Sequence, residues 1–259
     1  MKKYITDFTI VDRAAYGEKY VSLTLQHPDS MPEIAPGQFV EVEVKGVREV
    51  MLRRPISVHD VDYERNSLSL LVQIVGRGTA RLASLKVSDC LNLVYPLGHG
   101  FTLPRQQKRV LLVGGGAGSA PLLYLAKQLD SMDVRPTILL GGRTAALIPV
   151  QEPFARYGDL RIATDDGSRG EKGTVTQHSC FHQPYDHIYT CGPSPMMKAV
   201  ARYALANNIG CEVSLENMMA CGVGACLCCV CDTDEGHRCV CKEGPVFNAK
   251  KLTKWIGEK

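Results

Sequence analysis

Seven of the chain's eleven cysteines crowd into the 21 residues from Cys221 to Cys241, and that density most restricts how such a chain folds. A disulfide framework spreads its cysteines along a chain, and disulfides are rare in reducing cytosol, so clustered thiols point to bound metal. The run Cys221-Gly-Val-Gly-Ala-Cys226-Leu-Cys-Cys229, followed twelve residues later by Cys241, has the C-x4-C-x2-C…C spacing of a plant-type [2Fe-2S] site. Three thiolates from one short loop surround one face of a cluster, while Gly222 and Gly224 free the backbone to aim N–H groups at sulfur. A protein built this way moves electrons. Cys239 competes with Cys241 for the fourth position, and spacing leaves that choice open. C-x2-C pairs also hold zinc, so a zinc-stabilised binding module is the alternative of a different class.

At 259 residues, with 45% hydrophobic and 22% charged residues, the chain has room for two or three ordinary globular domains. Its net charge of +3, with 30 dispersed Lys and Arg, argues against a nucleic-acid or polybasic membrane surface. The opening Met-Lys-Lys-Tyr-Ile-Thr-Asp leads into no apolar signal-peptide core, and no apolar run approaches the roughly 18 residues of a membrane span. A cytoplasmic protein is expected, with Cys90, Cys180, Cys191 and Cys211 reduced.

Three textures follow one another. Over residues 1–101, Tyr20-Val-Ser-Leu-Thr-Leu and Gln38-Phe-Val-Glu-Val-Glu-Val alternate, and Ser67 to Val75 is dense in β-formers. Gly and Pro punctuate these runs, which predicts a small antiparallel barrel. Over residues 102–210, the apolar strand Arg109-Val-Leu-Leu-Val-Gly runs into glycines, and helical spacing follows from Ala120 to Asp130. Further strands at Pro136–Leu140, Leu160–Ala163 and His187–Thr190 alternate with helical stretches such as Pro195–Asn207, the pattern of an α/β sheet. Residues 211–259 are rich in Cys and Gly and have too few aliphatic residues for a core of their own, so a metal centre is expected to stabilise them. The fold class is multidomain, β followed by α/β followed by a small metal domain, with the parts packed directly together.

Two loops of the middle segment can meet a nucleotide. Gly114-Gly-Gly-Ala-Gly-Ser-Ala-Pro121 joins a tight turn to a helix start and exposes unpaired N–H groups to phosphate, although the strict G-x-G-x-x-G fingerprint is absent. Gly115, Gly116 and Gly118 are its candidate contacts. Cys191-Gly192-Pro193 follows a buried strand and precedes a helix, at the carboxyl edge where α/β sheets bind ligands. Cys191 sits against a nicotinamide ring or packs as a small hydrophobe. Thr164-Asp-Asp-Gly-Ser168 meets ribose hydroxyls or is a plain Asp-Gly turn. In the barrel, Arg54-Pro55-Ile56-Ser57 points a charged fork and a hydroxyl at one ligand across a rigid proline, and Gly76-Arg-Gly78-Thr79 offers further donors to phosphate oxygens.

Taken in order, these motifs resemble those of the ferredoxin-reductase-like flavoproteins over nearly the whole chain. The closing Met219-Ala-Cys-Gly-Val-Gly-Ala-Cys226, with Cys241-Lys-Glu-Gly-Pro-Val-Phe247, looks specifically like the electron-transfer subunits of type B dihydroorotate dehydrogenases. The resemblance implies an antiparallel FAD-binding β-barrel, an NAD-binding α/β domain and a small C-terminal [2Fe-2S] domain. It implies a separate FMN-containing catalytic subunit that oxidises dihydroorotate to orotate in pyrimidine biosynthesis, with two copies of each subunit. Family flavin contacts carry over onto Arg54, Pro55, Ile56 and Ser57, onto Leu71, Val72 and Gln73 along the isoalloxazine, and onto Gly78 and Thr79. Cluster ligands carry over onto Cys221, Cys226, Cys229 and Cys241, because Cys241 precedes the Lys-Glu-Gly-Pro-Val-Phe run. Cys228, Cys231 and Cys239 are thiols that the family pattern does not require, and Cys228, between two ligands, is expected to point away.

A hydride carries two electrons and a [2Fe-2S] cluster passes one, so flavin between them makes the exchange. The expected route is FMN of the partner, cluster, FAD, NAD, with no catalytic side chain in this chain. The acidic residue that marks NAD is not evident in Ile138-Leu-Leu-Gly-Gly-Arg143, so the choice of NAD over NADP comes from the resemblance. A subunit of a ferredoxin:NADP oxidoreductase or a sulfhydrogenase shares most of these motifs.

Overall fold

Alternating apolar positions in the first hundred residues close into a six-stranded antiparallel barrel. The computed structural model describes residues 2–104 and 108–257, so the outer bounds of the first and third segments lie outside the described residues. The barrel strands are β1 (Tyr4–Tyr16), β2 (Tyr20–Gln26), β3 (Phe39–Val42), β4 (Arg54–Asp62), β5 (Ser67–Gln73) and β6 (Cys90–Leu97), in the order β1-β2-β5-β4-β3-β6. Every second side chain points inward, and Phe8, Ile10, Leu23, Leu25, Leu70 and Val72 fill the interior. β3 departs from this rule: all four of its residues are buried, because its outer face is covered as well. A short helix, α1 (Arg77–Ala83), follows β5.

The middle segment supplies β7 (Val110–Gly115), α2 (Ala120–Asp130), β8 (Thr137–Gly142), α3 (Glu152–Tyr157), β9 (Asp159–Thr164), β10 (Glu171–Lys172), β11 (His187–Cys191), α4 (Ser194–Ala206) and β12 (Gly210–Ser214). Val110 and Leu112 of β7 share a core with α2, while Leu111 and Val113 pack with α4, so the helices cover opposite faces. That double cover is why these strands read as continuous apolar runs. The sheet order is β10-β9-β8-β7-β11-β12, all parallel. The chain grows outward from β7 through β8 to β10, then returns to β11 on the other side of β7. The crevice above β7 and β11 is therefore the topological switch point, where such sheets take ligands.

The third segment does not stand apart. After the hairpin of β13 (Val230–Thr233) and β14 (Gly236–Cys239), β15 (Val246–Asn248) pairs antiparallel with β12 as the seventh strand of the sheet. A last helix, α5 (Thr253–Gly257), follows. Val240, Phe247, Leu252 and Ile256 join the core formed by Val200, Ala201 and Ala204 of α4. The aliphatic shortage of this segment is thus met by a shared core.

Specific contacts lock the barrel to its neighbours. His59 Nδ1 donates to the Ala120 carbonyl at 2.8 Å, at the start of α2, and burial holds this imidazole below the usual histidine range. Lys127 Nζ reaches Asp60 Oδ1 at 3.0 Å and the Val61 carbonyl at 2.8 Å. On the other side His99 bridges to Pro245 and donates its N–H to the Gly244 carbonyl. Among the described residues no helix is long and apolar enough to cross a membrane.

Candidate electron-transfer site

The barrel wall is open where the sequence places a flavin. β4 pairs with β3 from Arg54 to Ser57 but joins β5 only from Val58 onward, and β5 beyond Leu70 has β2 as its neighbour. Arg54–Ser57 and Leu71–Gln73 therefore border one gap, each with a backbone edge that the other strand does not pair. Leu71 and Gln73 face outward, Leu71 against Tyr20 and Ala120, whereas Val72 points into the barrel core and leaves its backbone alone to meet a ligand. Arg54 crosses the gap to α1: a Cβ on Gly78 would stand 2.7 Å from its Nε, so a side chain there would displace the guanidinium. The Thr79 hydroxyl is engaged locally, accepting the N–H groups of Val75 at 2.9 Å and Gly76 at 3.2 Å.

The nucleotide loops meet in a cleft of about 710 Å³ between this gap and the carboxyl edge of the sheet. Gly115, Gly116, Gly118, Gly192 and Pro193 line it from the switch point, with Tyr20 and Gln73 on the barrel side. A Cβ on Gly118 would lie 2.3 Å from Gly192 Cα, so the two loops touch backbone to backbone. Arg143 and Asp165, at the ends of β8 and β9, line the far end. Cys191 is fully buried, its Sγ donating to Glu216 Oε1 at 4.0 Å, and burial, then Glu216, raise its thiol well above the usual range. Glu216, which sequence reasoning missed, lines the cleft from the third segment. Its position becomes legible only once β12 is known to end beside Cys191.

The cysteine loop curls around its first thiol. Cys221 Sγ accepts the N–H groups of Val223 at 3.4 Å, Ala225 at 3.3 Å and Cys226 at 3.5 Å. Burial pushes this thiol up, but the N–H groups of Val223, Cys226 and Ala225 outweigh it and hold it below the usual range. Gly222 and Gly224 take φ of +66° and +83°, left-handed conformations that make the curl possible. Cys241 enters from the other side: its Sγ accepts the Gly224 N–H at 3.1 Å, and its own N–H donates to Cys229 Sγ at 3.4 Å. Cys239 also neighbours Cys229 but is fixed by a separate turn, its N–H donating to Glu243 Oε2 at 2.8 Å. Cys228 is exposed, and Cys231 turns its Sγ to the Asp232 carbonyl at 3.7 Å.

This donor set fits a [2Fe-2S] cluster. Among the described residues no three His, Cys, Asp or Glu side chains converge as a mononuclear metal site requires. A [2Fe-2S] cluster asks instead for two thiolates on each of two irons. Cys221 with Cys226, and Cys229 with Cys241, are neighbouring pairs of that kind. N–H groups already aimed at Cys221 and Cys241 are the donors that stabilise thiolate and tune such a centre.

The loop rests on the barrel through one buried acid. A Cβ on Gly222 would meet Glu41 Cγ at 2.6 Å and Leu97 Cδ1 at 3.1 Å. Glu41, on β3, pairs in register with Pro55 of the flavin gap, and it is 1% exposed. Among the described residues neither carboxylate oxygen has a hydrogen-bond partner. Burial pushes this acid up to about 7, against the pull of Arg53 and Arg54 and with Cys221 adding to the rise.

Similarity to known proteins agrees with this geometry. Residues 216–253 match the iron-sulfur cluster binding domain of dihydroorotate dehydrogenase B, and residues 14–101 match the oxidoreductase FAD-binding domain. The electron transfer subunit of dihydroorotate dehydrogenase B (NAD(+)) from Geobacillus kaustophilus is 39% identical over 250 residues, 94% of this chain and 96% of that protein. The same subunit from Clostridium acetobutylicum is 40% identical over 221 residues, covering 85% of this chain and 87% of that one. Among solved structures, the NADH-dependent reduced ferredoxin-NADP oxidoreductase superposes with a TM-score of 0.85 at 31% identity, over 94% of this chain and 88% of the other. The ferredoxin reductase in carbazole 1,9a-dioxygenase, at 22% identity and a TM-score of 0.69 over 81% of this chain and 67% of its own, shares the fold.

Proposed function

Because the chain belongs to the family of dihydroorotate dehydrogenase B electron transfer subunits, we propose that it carries electrons from a dihydroorotate-oxidising partner to NAD+. It is an oxidoreductase subunit of pyrimidine biosynthesis that uses FAD and an iron-sulfur cluster, with NAD as co-substrate. A bound flavin supplies the exchange between single electrons and a hydride that the two ends of this route require.

The protein's part is alignment. Arg54–Ser57, Leu71–Gln73, Gly78 and Thr79 hold the flavin at the barrel gap, with Arg54 on the pyrophosphate. Gly115, Gly116 and Gly118 approach the NAD phosphates, and Gly192 and Pro193 seat the nicotinamide end against Gln73 and Tyr20. Cys191, whose thiol is covered, shapes that seat from beneath. Cys221, Cys226, Cys229 and Cys241 hold a [2Fe-2S] cluster, and the N–H groups of Val223 and Gly224 tune it. The units we assign are 1–101 for FAD, 102–210 for NAD and 211–259 for the cluster, the last contributing β15 to the sheet of the second.

The partner is an FMN-containing catalytic subunit, two copies of each chain forming the complex. Val223 and Leu227 in the cysteine loop and Met218 just before it are exposed apolar side chains and suit such a contact. We assign the complex to the cytoplasm, where cysteines outside the cluster stay reduced.

One observation carries the reading: the cysteine loop sits on Glu41, directly across the β3–β4 ladder from Pro55 of the flavin gap. Cluster and flavin therefore share one wall. Co-expression with a dihydroorotate-oxidising subunit tests it. A stable complex with flavin and [2Fe-2S] absorbance that reduces NAD+ with dihydroorotate is expected. A colourless, zinc-loaded protein, or a coloured one that takes electrons only from ferredoxin, overturns it.

A further inference from the structure

Two opposite charges stand together at one end of the nucleotide cleft. β8 and β9 run parallel with Gly142 opposite Thr164, and their backbone pairing continues past both strand ends. The Asp165 N–H donates to the Gly142 carbonyl at 3.1 Å and the Asp166 N–H to the Arg143 carbonyl at 3.2 Å. Arg143 and Asp165 are thereby carried side by side, and both line the cleft. With the nicotinamide seated at Tyr20 and Gln73 and the phosphates over Gly115 and Gly118, the adenosine reaches this end.

The turn after β9 separates its two acids by role. Asp166 is committed to the turn: its carboxylate accepts the Ser168 N–H at 2.9 Å, with Gly167 at φ +75° between them. The Ser168 hydroxyl accepts the Ala145 N–H at 2.8 Å, which ties the turn to the loop after β8. Beneath, the fully buried Thr164 hydroxyl donates to the Arg169 carbonyl at 2.8 Å and accepts its N–H at 3.0 Å. The Asp165 carboxylate takes no part in this, and among the described residues neither it nor the Arg143 guanidinium has a partner. The fold holds Asp165 in place without neutralising it.

NAD and NADP differ at the 2′ position of the adenosine ribose, a hydroxyl in one and a phosphate in the other. A carboxylate accepts the hydroxyl and repels the phosphate, whereas a guanidinium attracts the phosphate. We propose that Asp165 is the residue that selects NAD: it accepts the ribose hydroxyl, and its charge cancels the attraction that Arg143 offers to a 2′-phosphate. The end of β8, where such an acid is looked for, carries Arg143; the topology supplies the acid from β9, one strand further out. Arg143 is then a latent phosphate site that its neighbour keeps closed.

The inference rests on the reading of this cleft as the NAD site, and redox-inert probes separate the two. The full chain, purified with its catalytic partner, is titrated calorimetrically with ADP-ribose and with 2′-phospho-ADP-ribose. Wild type is compared with Asp165→Ser, Asp166→Asn and the double variant Asp165→Ser, Arg143→Ala. Wild type is expected to favour ADP-ribose. Asp165→Ser is expected to bind ADP-ribose about tenfold more weakly, having lost a hydrogen bond to a charged group. It is expected to bind 2′-phospho-ADP-ribose about tenfold more tightly, because a like charge is gone. Adding Arg143→Ala is expected to abolish that gain and keep the loss, while Asp166→Asn keeps the wild-type preference. In NAD+ reduction, Asp165→Ser is expected to raise KM rather than lower kcat. A wild type that binds neither probe ends the reading of this cleft as the NAD site. A wild type that favours the 2′-phosphate, an Asp165→Ser variant with the wild-type preference, or a preference moved by Asp166→Asn instead, overturns the role of Asp165. A gain that survives Arg143→Ala overturns the role of Arg143.

Discussion

Gly118 and Gly192 meet backbone to backbone across the switch point of the sheet, where a Cβ on Gly118 would stand 2.3 Å from Gly192 Cα and 2.4 Å from its nitrogen. Neither atom can swing away as a side chain would. Gly118→Ala should therefore cost about 1–3 kcal/mol of stability, as overpacking does, and widen the nucleotide cleft. Thermal unfolding and a fluorescence titration with NADH check this. Unchanged melting together with unchanged affinity would show that the loops part freely.

Arg54 lies with its guanidinium against Gly78, and we assign it to the flavin pyrophosphate. Losing a charged hydrogen bond of this kind costs roughly 1.5–3 kcal/mol, so Arg54→Ala should weaken FAD retention by about tenfold or more while the [2Fe-2S] spectrum persists. Gly78→Val should do the same by displacing the arginine. Flavin content after gel filtration reads both variants.

The fourth ligand is decided by paired substitutions. Cys241→Ser should lose the cluster's absorbance and EPR signal, because Cys241 is the thiol that receives the Gly224 N–H at 3.1 Å. Cys239→Ser should keep both signals. The reverse result would move the ligand to the hairpin turn.

Gly222 and Gly224 differ in what surrounds them. Gly222→Val meets Glu41 and Leu97 in the barrel wall and a left-handed φ of +66°, whereas Gly224→Ala meets the flexible Lys242 chain at φ +83°. Each left-handed residue costs about 1–2 kcal/mol once a Cβ is present. Gly222→Val should accordingly shift the cluster EPR spectrum and midpoint more than Gly224→Ala, with FAD content unchanged in both. Loss of flavin in step with the cluster would count against two separable sites.

His187 sets an acid limb of stability. Burial, then Lys108, lower it from 6.5 to about 4, and among the described residues its Nε2 has no partner. A depressed histidine contributes stability that is fully present above 6.5 and is lost as pH falls through about 4. The contribution is at most roughly 3 kcal/mol. His187→Phe, which keeps a ring on Tyr189, should flatten the fall in melting temperature between pH 7 and pH 4. An identical slope in wild type and variant would assign that limb to other groups.

The fold was legible where local pattern and final environment agree. Tyr20–Leu25 alternates and forms β2; Val110–Gly115 is continuously apolar and lies between α2 and α4. It was illegible where a distant segment decides. β15 is three residues long and exists because β12 offers an edge. In the alternation of Gln38–Val44, Glu41 falls on the outward, polar side, yet it is buried, with Gly222 of a distant loop against it. The cysteine loop stood out because its chemistry depends on near neighbours in sequence. Glu216 and Tyr20 gave no such signal, since they reach the nucleotide cleft from different segments.

The seventh strand makes the nucleotide-binding sheet a composite of two segments. β15, shortly after Cys241, hydrogen-bonds along the outer edge of β12, and an edge left unpaired recruits other strands. Local unfolding of the third segment would therefore uncover backbone in the sheet of the second, so the segment that carries the cysteines also guards the solubility of its neighbour.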